Sequence, residues 1–152
     1  MPPRASLPRI CIALGFPTVE KLLEHASSVI DAGERFLEFR LDHLDRPETG
    51  TEAIRRVLAE HADVSVLATC RRHQNHGKFN GSIEEQLRLL EAAVDAGARG
   101  VDVEIESAEF AAARLDVLRG RAWVIVSYHN FEGTPSLEAV LRRMSRVAAD
   151  AY

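Results

Sequence analysis

Lysine is almost missing from this sequence. Lys21 and Lys78 are the only two, and arginine carries nearly all of the positive charge. Cysteine is scarce as well. Cys11 and Cys70 are too few for a disulfide framework, and both fall in apolar, strand-like runs, which marks them as reduced core thiols of a cytoplasmic protein. No apolar run approaches the ~18–20 residues of a membrane span, and nothing after Arg9 reads as a signal peptide. An excess of positive charge is also lacking: 19 Lys+Arg against 23 Asp+Glu give a formal net charge of -4. That balance excludes a general nucleic-acid binder. Low-complexity stretches and shifts of composition are absent. With 46% hydrophobic and 28% charged residues in 152, the chain is ordered and long enough for one domain.

What is present is an alternation of short apolar runs with longer amphipathic ones. Strand-like runs are expected over 9–15, 36–42, 65–71, 100–105 and 122–129. Helical spacing follows each of them: 18–32, closed by Gly33; a helix opened by Thr49 and Glu52 in capping-box spacing; a helix opened by Ser82 and Glu85 and ending at Gly97; 107–119 with Gly120 behind it; and 136–150, with Thr134 and Pro135 at its N-cap and first turn. Five β-α units in succession, with strands apolar on both faces, describe an α/β protein whose parallel sheet is covered by helices. The expected organisation is an amino-terminal tail over 1–8 and one domain over 9–152. An eight-unit barrel at this spacing needs roughly 200–250 residues, so the chain is either an open sheet or about five units of a barrel.

In parallel β-α proteins the working residues gather at the carboxyl ends of the strands, and the polar residues here do so. The second strand ends in Glu38, Arg40 and Asp42, the third in Arg71, the fourth carries Asp102 and Glu104, and the fifth ends in Ser127-Tyr-His129. Such convergence describes a polar pocket for a hydroxylated or anionic small molecule. Asp102 and Glu104 read as braces for Arg40 or Arg71. Cys70, His73 and His76 have a spacing compatible with zinc, but Cys70 on a strand points away from Arg71, which argues against a metal site. His25, His43 and His61 read as surface residues without partners.

The segments Leu37-Glu-Phe-Arg-Leu-Asp42, Ala68-Thr-Cys-Arg71, Val101-Asp-Val-Glu104 and Val126-Ser-Tyr-His-Asn-Phe131, followed by Thr134-Pro135, resemble type I 3-dehydroquinate dehydratase in order and approximate spacing. The resemblance runs from about Ile10 to Tyr152. It implies a (β/α)₈ TIM-type barrel and a shikimate-pathway lyase that converts 3-dehydroquinate to 3-dehydroshikimate through a lysine Schiff base, without metal or organic cofactor. On that likeness His129 is the general acid/base, and Glu38, Arg40 and Arg71 hold the substrate's hydroxyl groups.

Two departures accompany the likeness. The family's glutamate that orients the histidine falls near Asn75 here, which implies a shifted acid/base balance. The family's Schiff-base lysine begins the sixth strand, after the helix that here runs to Tyr152, so the nucleophile is expected to be absent; Lys21 and Lys78 read as solvated surface residues. The resemblance thus implies the amino-terminal part of the enzyme, a homodimer or a barrel completed by a missing carboxyl-terminal part. Competing with it are a non-catalytic fragment whose bare edges, 9–15 and 122–129, favour association, and a metal-dependent barrel hydrolase, disfavoured for want of ligands.

Overall fold

Successive side chains of a strand point to opposite faces, and the five strands sort their residues accordingly. The computed structural model describes residues 8–152, so most of the expected tail lies outside the described residues. The strands are β1 (Ile12–Leu14), β2 (Phe36–Arg40), β3 (Ser65–Thr69), β4 (Gly100–Glu104) and β5 (Trp123–Ser127). Leu14, Leu37, Phe39, Val66, Ala68, Val101, Val103, Val124 and Val126 are buried in one apolar cluster with helix residues such as Leu22, Ile54, Leu90 and Leu115. The alternate set includes Glu38, Arg40, Asp102 and Ser127, on the other face.

The helices are α1 (Val19–Asp31), α2 (Gly50–Glu60), α3 (Ile83–Asp95), α4 (Ile105–Phe110), α5 (Ala112–Arg119) and α6 (Leu137–Met144). Strand order is β1-β2-β3-β4-β5 and every pairing is parallel. A doubly wound sheet reverses its strand order at a switch point and so carries helices on both faces. Right-handed crossovers that always step the same way leave all helices on one face. Accordingly α1 packs on α2, and α2 on α3.

Element boundaries differ from the sequence expectations for local reasons. The expected strand over 36–42 stops at Arg40 because a 3₁₀ turn, Leu41–His43, follows; Leu41 still reaches the core from that turn, which extends the apolar run beyond the strand. Ser82 and Glu85 form the expected reciprocal capping box on α3. Thr49 does not cap α2. A 3₁₀ turn over Pro47–Thr49 leads straight into the helix, Thr49 is already helical (φ -71°, ψ -9°), and its hydroxyl donates back to the Arg46 carbonyl at 2.7 Å. The expected single helix over 107–119 is two, turning at Ala111, whose φ of -116° lies outside the helical range.

The last helix is shorter than expected and is capped by Ser136, not Thr134. Because it stops at Met144, the chain returns to the sheet: Ala151 bridges Ile125 in parallel, the Val126 N–H donates to the Ala151 carbonyl at 3.0 Å, and the Asp150 N–H donates to Val124 at 2.8 Å. The far edge of β5 is therefore not bare, contrary to expectation. Among the described residues β1 pairs only with β2.

Candidate active site

Each polar side chain is set by where its strand ends. On β2, Arg40 follows Glu38 on the same face, and the 3₁₀ turn after it folds Asp42 back beneath the guanidinium. Arg40 Nε donates to Asp42 Oδ1 at 3.0 Å and Nη2 to Oδ2 at 2.8 Å, a bidentate pair. The Lys78 backbone N–H adds a third hydrogen bond, at 3.1 Å. Burial pushes the Asp42 carboxyl upward, but the Arg40 hydrogen bonds and the backbone donors outweigh it and hold the group below its ordinary range. Asp42 is thus a buried anchor for Arg40 and not a wall of the pocket. The Glu38 side chain, partly exposed, accepts no hydrogen bond among the described residues.

Arg71 lies just past β3 and is itself buried. Its Nη2 meets Asp102 Oδ1 at 2.8 Å, its Nη1 donates to Ser127 Oγ at 2.8 Å, and the Ser127 hydroxyl donates to Asp102 Oδ1 at 2.8 Å. Asp102 braces Arg71, as the sequence leads one to expect. Burial dominates its titration and pushes the carboxyl up, opposed by Arg71 and the Ser127 hydroxyl. Glu104 does not brace either arginine. Fully buried, it accepts from Gln86 Nε2 at 2.6 Å and from the Arg72 backbone N–H at 2.7 Å, fixing the start of the loop after β3. Gln86 Nε2 also donates to the Cys70 carbonyl at 2.8 Å.

His129 stands just beyond β5 and is half-buried. Desolvation first, then Arg71, holds its imidazole below the ordinary histidine value, while Glu104 and Glu106 oppose them. Its Nδ1 is buried without a hydrogen-bond partner among the described residues. Asn75 does not approach it; the Asn75 amide donates to Glu106 Oε2 at 3.4 Å.

Glu38, Arg40, Arg71 and His129 line one cavity of about 390 Å³, together with Asn75, His76 and Phe131. That volume lies at the small end of the range for small-molecule sites. Two depressions of similar size lie elsewhere, one of about 360 Å³ beside Phe79 and Leu89 and one of about 460 Å³ beside Arg99 and Trp123. Neither includes these strand-end groups. Lys21 and Lys78 are both exposed, and neither lines the cavity.

The sequence places Asp42 and Ser127 among the polar strand ends without naming their partners, offers His76 only as a metal ligand, and shows Phe131 only as part of a motif. The first two carry a signal, two residues after Arg40 and two before His129, whereas His76 and Phe131 meet only through the fold. Cys70 is buried in the helix-side core while His73 and His76 are exposed on the loop, and no group of three metal-ligating side chains converges among the described residues. Two of the three histidines expected to lack partners have them. His25 stacks on Phe16 at 3.9 Å and its Nδ1 lies 2.8 Å from the Lys21 carbonyl; His43 packs over Gly15, with Asp42 at 3.9 Å.

The chain is similar to known proteins over nearly all of its length. It is 40% identical over 144 residues to the 3-dehydroquinate dehydratase of Methanothermobacter thermautotrophicus, which covers 93% of this chain and 62% of that protein. With the enzyme of the same name from Desulfotalea psychrophila it shares 34% identity over 147 residues, 93% of this chain and 62% of the relative. The crystal structure of 3-dehydroquinate dehydratase from Geobacillus kaustophilus superposes with a TM-score of 0.81 at 28% identity, over 96% of this chain and 61% of that one. The chain therefore spans about 60% of the length of these relatives, as five units of a longer barrel should. Residues 10–152 match the family described as Type I 3-dehydroquinase, and to that family the chain belongs.

Proposed function

We propose that this chain is the substrate-binding and proton-transferring part of a 3-dehydroquinate dehydratase. The carrying observation is that Glu38, Arg40, Arg71 and His129, from three strand ends, line one small cavity. Dehydration of a β-hydroxy ketone needs a base for the proton beside the carbonyl and an acid for the departing hydroxyl. An imidazole held below its ordinary value is neutral at pH 7 and performs the first task, and the proton it gains serves the second. Arg40 and Arg71, fixed by Asp42 and Asp102, are preorganised donors, and the free Glu38 carboxylate is the acceptor for a substrate hydroxyl. We assign ketone activation to no residue of this chain, because both lysines are exposed and away from the cavity. The same reading places the protein in the cytoplasm, with a partner segment or chain completing the barrel. Cys70 is a buried free thiol, whereas Cys11 is free but exposed and is not the core thiol expected of it.

The test has two arms. Incubated with 3-dehydroquinate and borohydride, the 152-residue chain should gain no mass; an adduct mapping to Lys78 or Lys21 would overturn the assignment. Joined to the remaining carboxyl-terminal part of the Methanothermobacter thermautotrophicus relative, it should form the conjugated enone product. His129→Ala should then slow that turnover by about 10²–10⁴-fold. An active chimera indifferent to His129→Ala rules out the role given to His129.

A further inference from the structure

His76 is the one non-glycine residue with positive φ among the described residues (φ 59°, ψ 22°). The loop that holds it is tightly made. The His76 N–H donates to the His73 carbonyl at 3.1 Å, the Gly77 N–H to Arg72 at 3.0 Å, and the His73 N–H to Phe79 at 2.8 Å. A side chain at Gly77 would collide with the Arg71 carbonyl, so only glycine fits where the loop passes close to Arg71. This left-handed position, which glycine would occupy without strain, carries an imidazole that lies against the cavity wall.

Its ring stacks on Phe131 with centroids 3.9 Å apart and planes at 30°, and Phe131 in turn lies nearly parallel to His129 at 6.1 Å and 17°. The loop after β3 and the segment after β5 are thereby joined by a column of three rings. His129 itself has no hydrogen bond to either ring nitrogen among the described residues, and Asn75 is turned to Glu106. No polar contact therefore fixes the plane of the His129 ring; aromatic packing is what remains.

We propose that His76 is a positioning residue for His129, acting through Phe131: its ring holds Phe131 against the His129 imidazole, which sets the ring's orientation and keeps water from its face. This rests on the reading of His129 as the acid/base group, and goes beyond it by assigning the support of that group to a side chain on another loop.

The charged groups that bear on His129 are Arg40 and Arg71 from β2 and β3, and Glu104 and Glu106 from β4 and α4. Removing the stack leaves all four in place and lets water reach the ring. Because burial is the leading cause of the lowered value, hydration raises it. The experiment is an NMR titration of the His129 ring proton in the intact 152-residue chain, with His129→Gln used to identify the signal. His76→Ala and Phe131→Ala should each raise the titration midpoint by about 0.3–0.5 pH units. His76→Phe, which keeps an aromatic ring and removes the ionisable nitrogens, should move it by less than half as much. An unchanged midpoint in His76→Ala overturns the proposal. So does a shift in His76→Phe as large as that in His76→Ala, which would assign the effect to charge. The His76 and Phe131 side chains are exposed, so neither substitution opens the core, and Phe131→Ala tests the column if one variant fails to fold. The titration reads the ring and not turnover, so an inactive chimera with the expected shifts would sink the functional reading alone.

Discussion

The cavity is built on two arginine–aspartate pairs, and they behave in opposite ways. Arg40 grips Asp42 with two guanidinium nitrogens while a backbone N–H adds a third bond, and the carboxyl of Asp42 is lowered. Arg71 meets Asp102 through one nitrogen and shares it with the Ser127 hydroxyl, and the carboxyl of Asp102 is raised. Both acids are buried beside a full positive charge, so the cation does not decide the outcome. What decides it is the balance between burial and the donors that replace the lost water, with the Glu104 charge adding to the rise at Asp102. The local backbone sets the number of donors. A 3₁₀ turn brings Asp42 back under its partner within two residues. Asp102 lies in the middle of a strand whose own N–H groups are spent on the sheet.

The largest break in this comparison comes from removing the cation of the second pair. Arg71→Met leaves Asp102 with only the Ser127 hydroxyl, and unfolding free energy in urea at pH 7 should fall by about 3–5 kcal/mol. Part of that loss should return in mild acid, where Asp102 takes up a proton.

Next in size is Asp42→Asn, which keeps the shape but removes the charge that two Arg40 bonds address. A loss of about 2 kcal/mol at pH 7 is expected. The sign of its pH dependence follows from linkage. A folded-state value below the unfolded one, about 3.9, gives wild type an advantage over Asp42→Asn that is full above that pH and lost as pH falls through the folded value. Asp102 is raised, so wild type should lose ground to Asp102→Asn as pH rises from about 3.9 through the folded value. Urea denaturation of both variants between pH 3 and 8 should therefore give opposite slopes; slopes of the same sign would end the contrast.

The smallest expected effect sharpens it. Ser127→Ala removes one donor to Asp102 and one acceptor from Arg71, at a cost of about 1 kcal/mol. It should push the Asp102 titration further up while leaving Asp42 where it is, as side-chain carboxyl NMR would report.

Much of this arrangement is legible in the residues. The alternation in Leu37-Glu-Phe-Arg40 assigns Leu37 and Phe39 to the helix side and Glu38 and Arg40 to the other, since strand geometry leaves no other choice. The same rule turns Cys70 away from Arg71. Ser82 and Glu85 signal their helix start because a capping box is closed by atoms three residues apart. Thr49 and Glu52 show the same spacing and fail. The competing 3₁₀ turn at Pro47 is a matter of how the chain enters the helix, which spacing does not record. Glu104 illustrates the other limit: its parity is readable, but its partner, Gln86, comes from a helix whose position only the packed fold supplies.

By itself the sequence determined the five β-α units, the inward set of polar strand ends and the family likeness, because periodicity, caps and motif order are local properties of the chain. Only the tertiary structure decided that β5 is joined by Ala151, that Asp42 and Asp102 titrate in opposite directions, and that His76 reaches His129 through Phe131. Those outcomes depend on which groups from distant segments displace water from one another, and distances of that kind are set when the helices pack the sheet and not before.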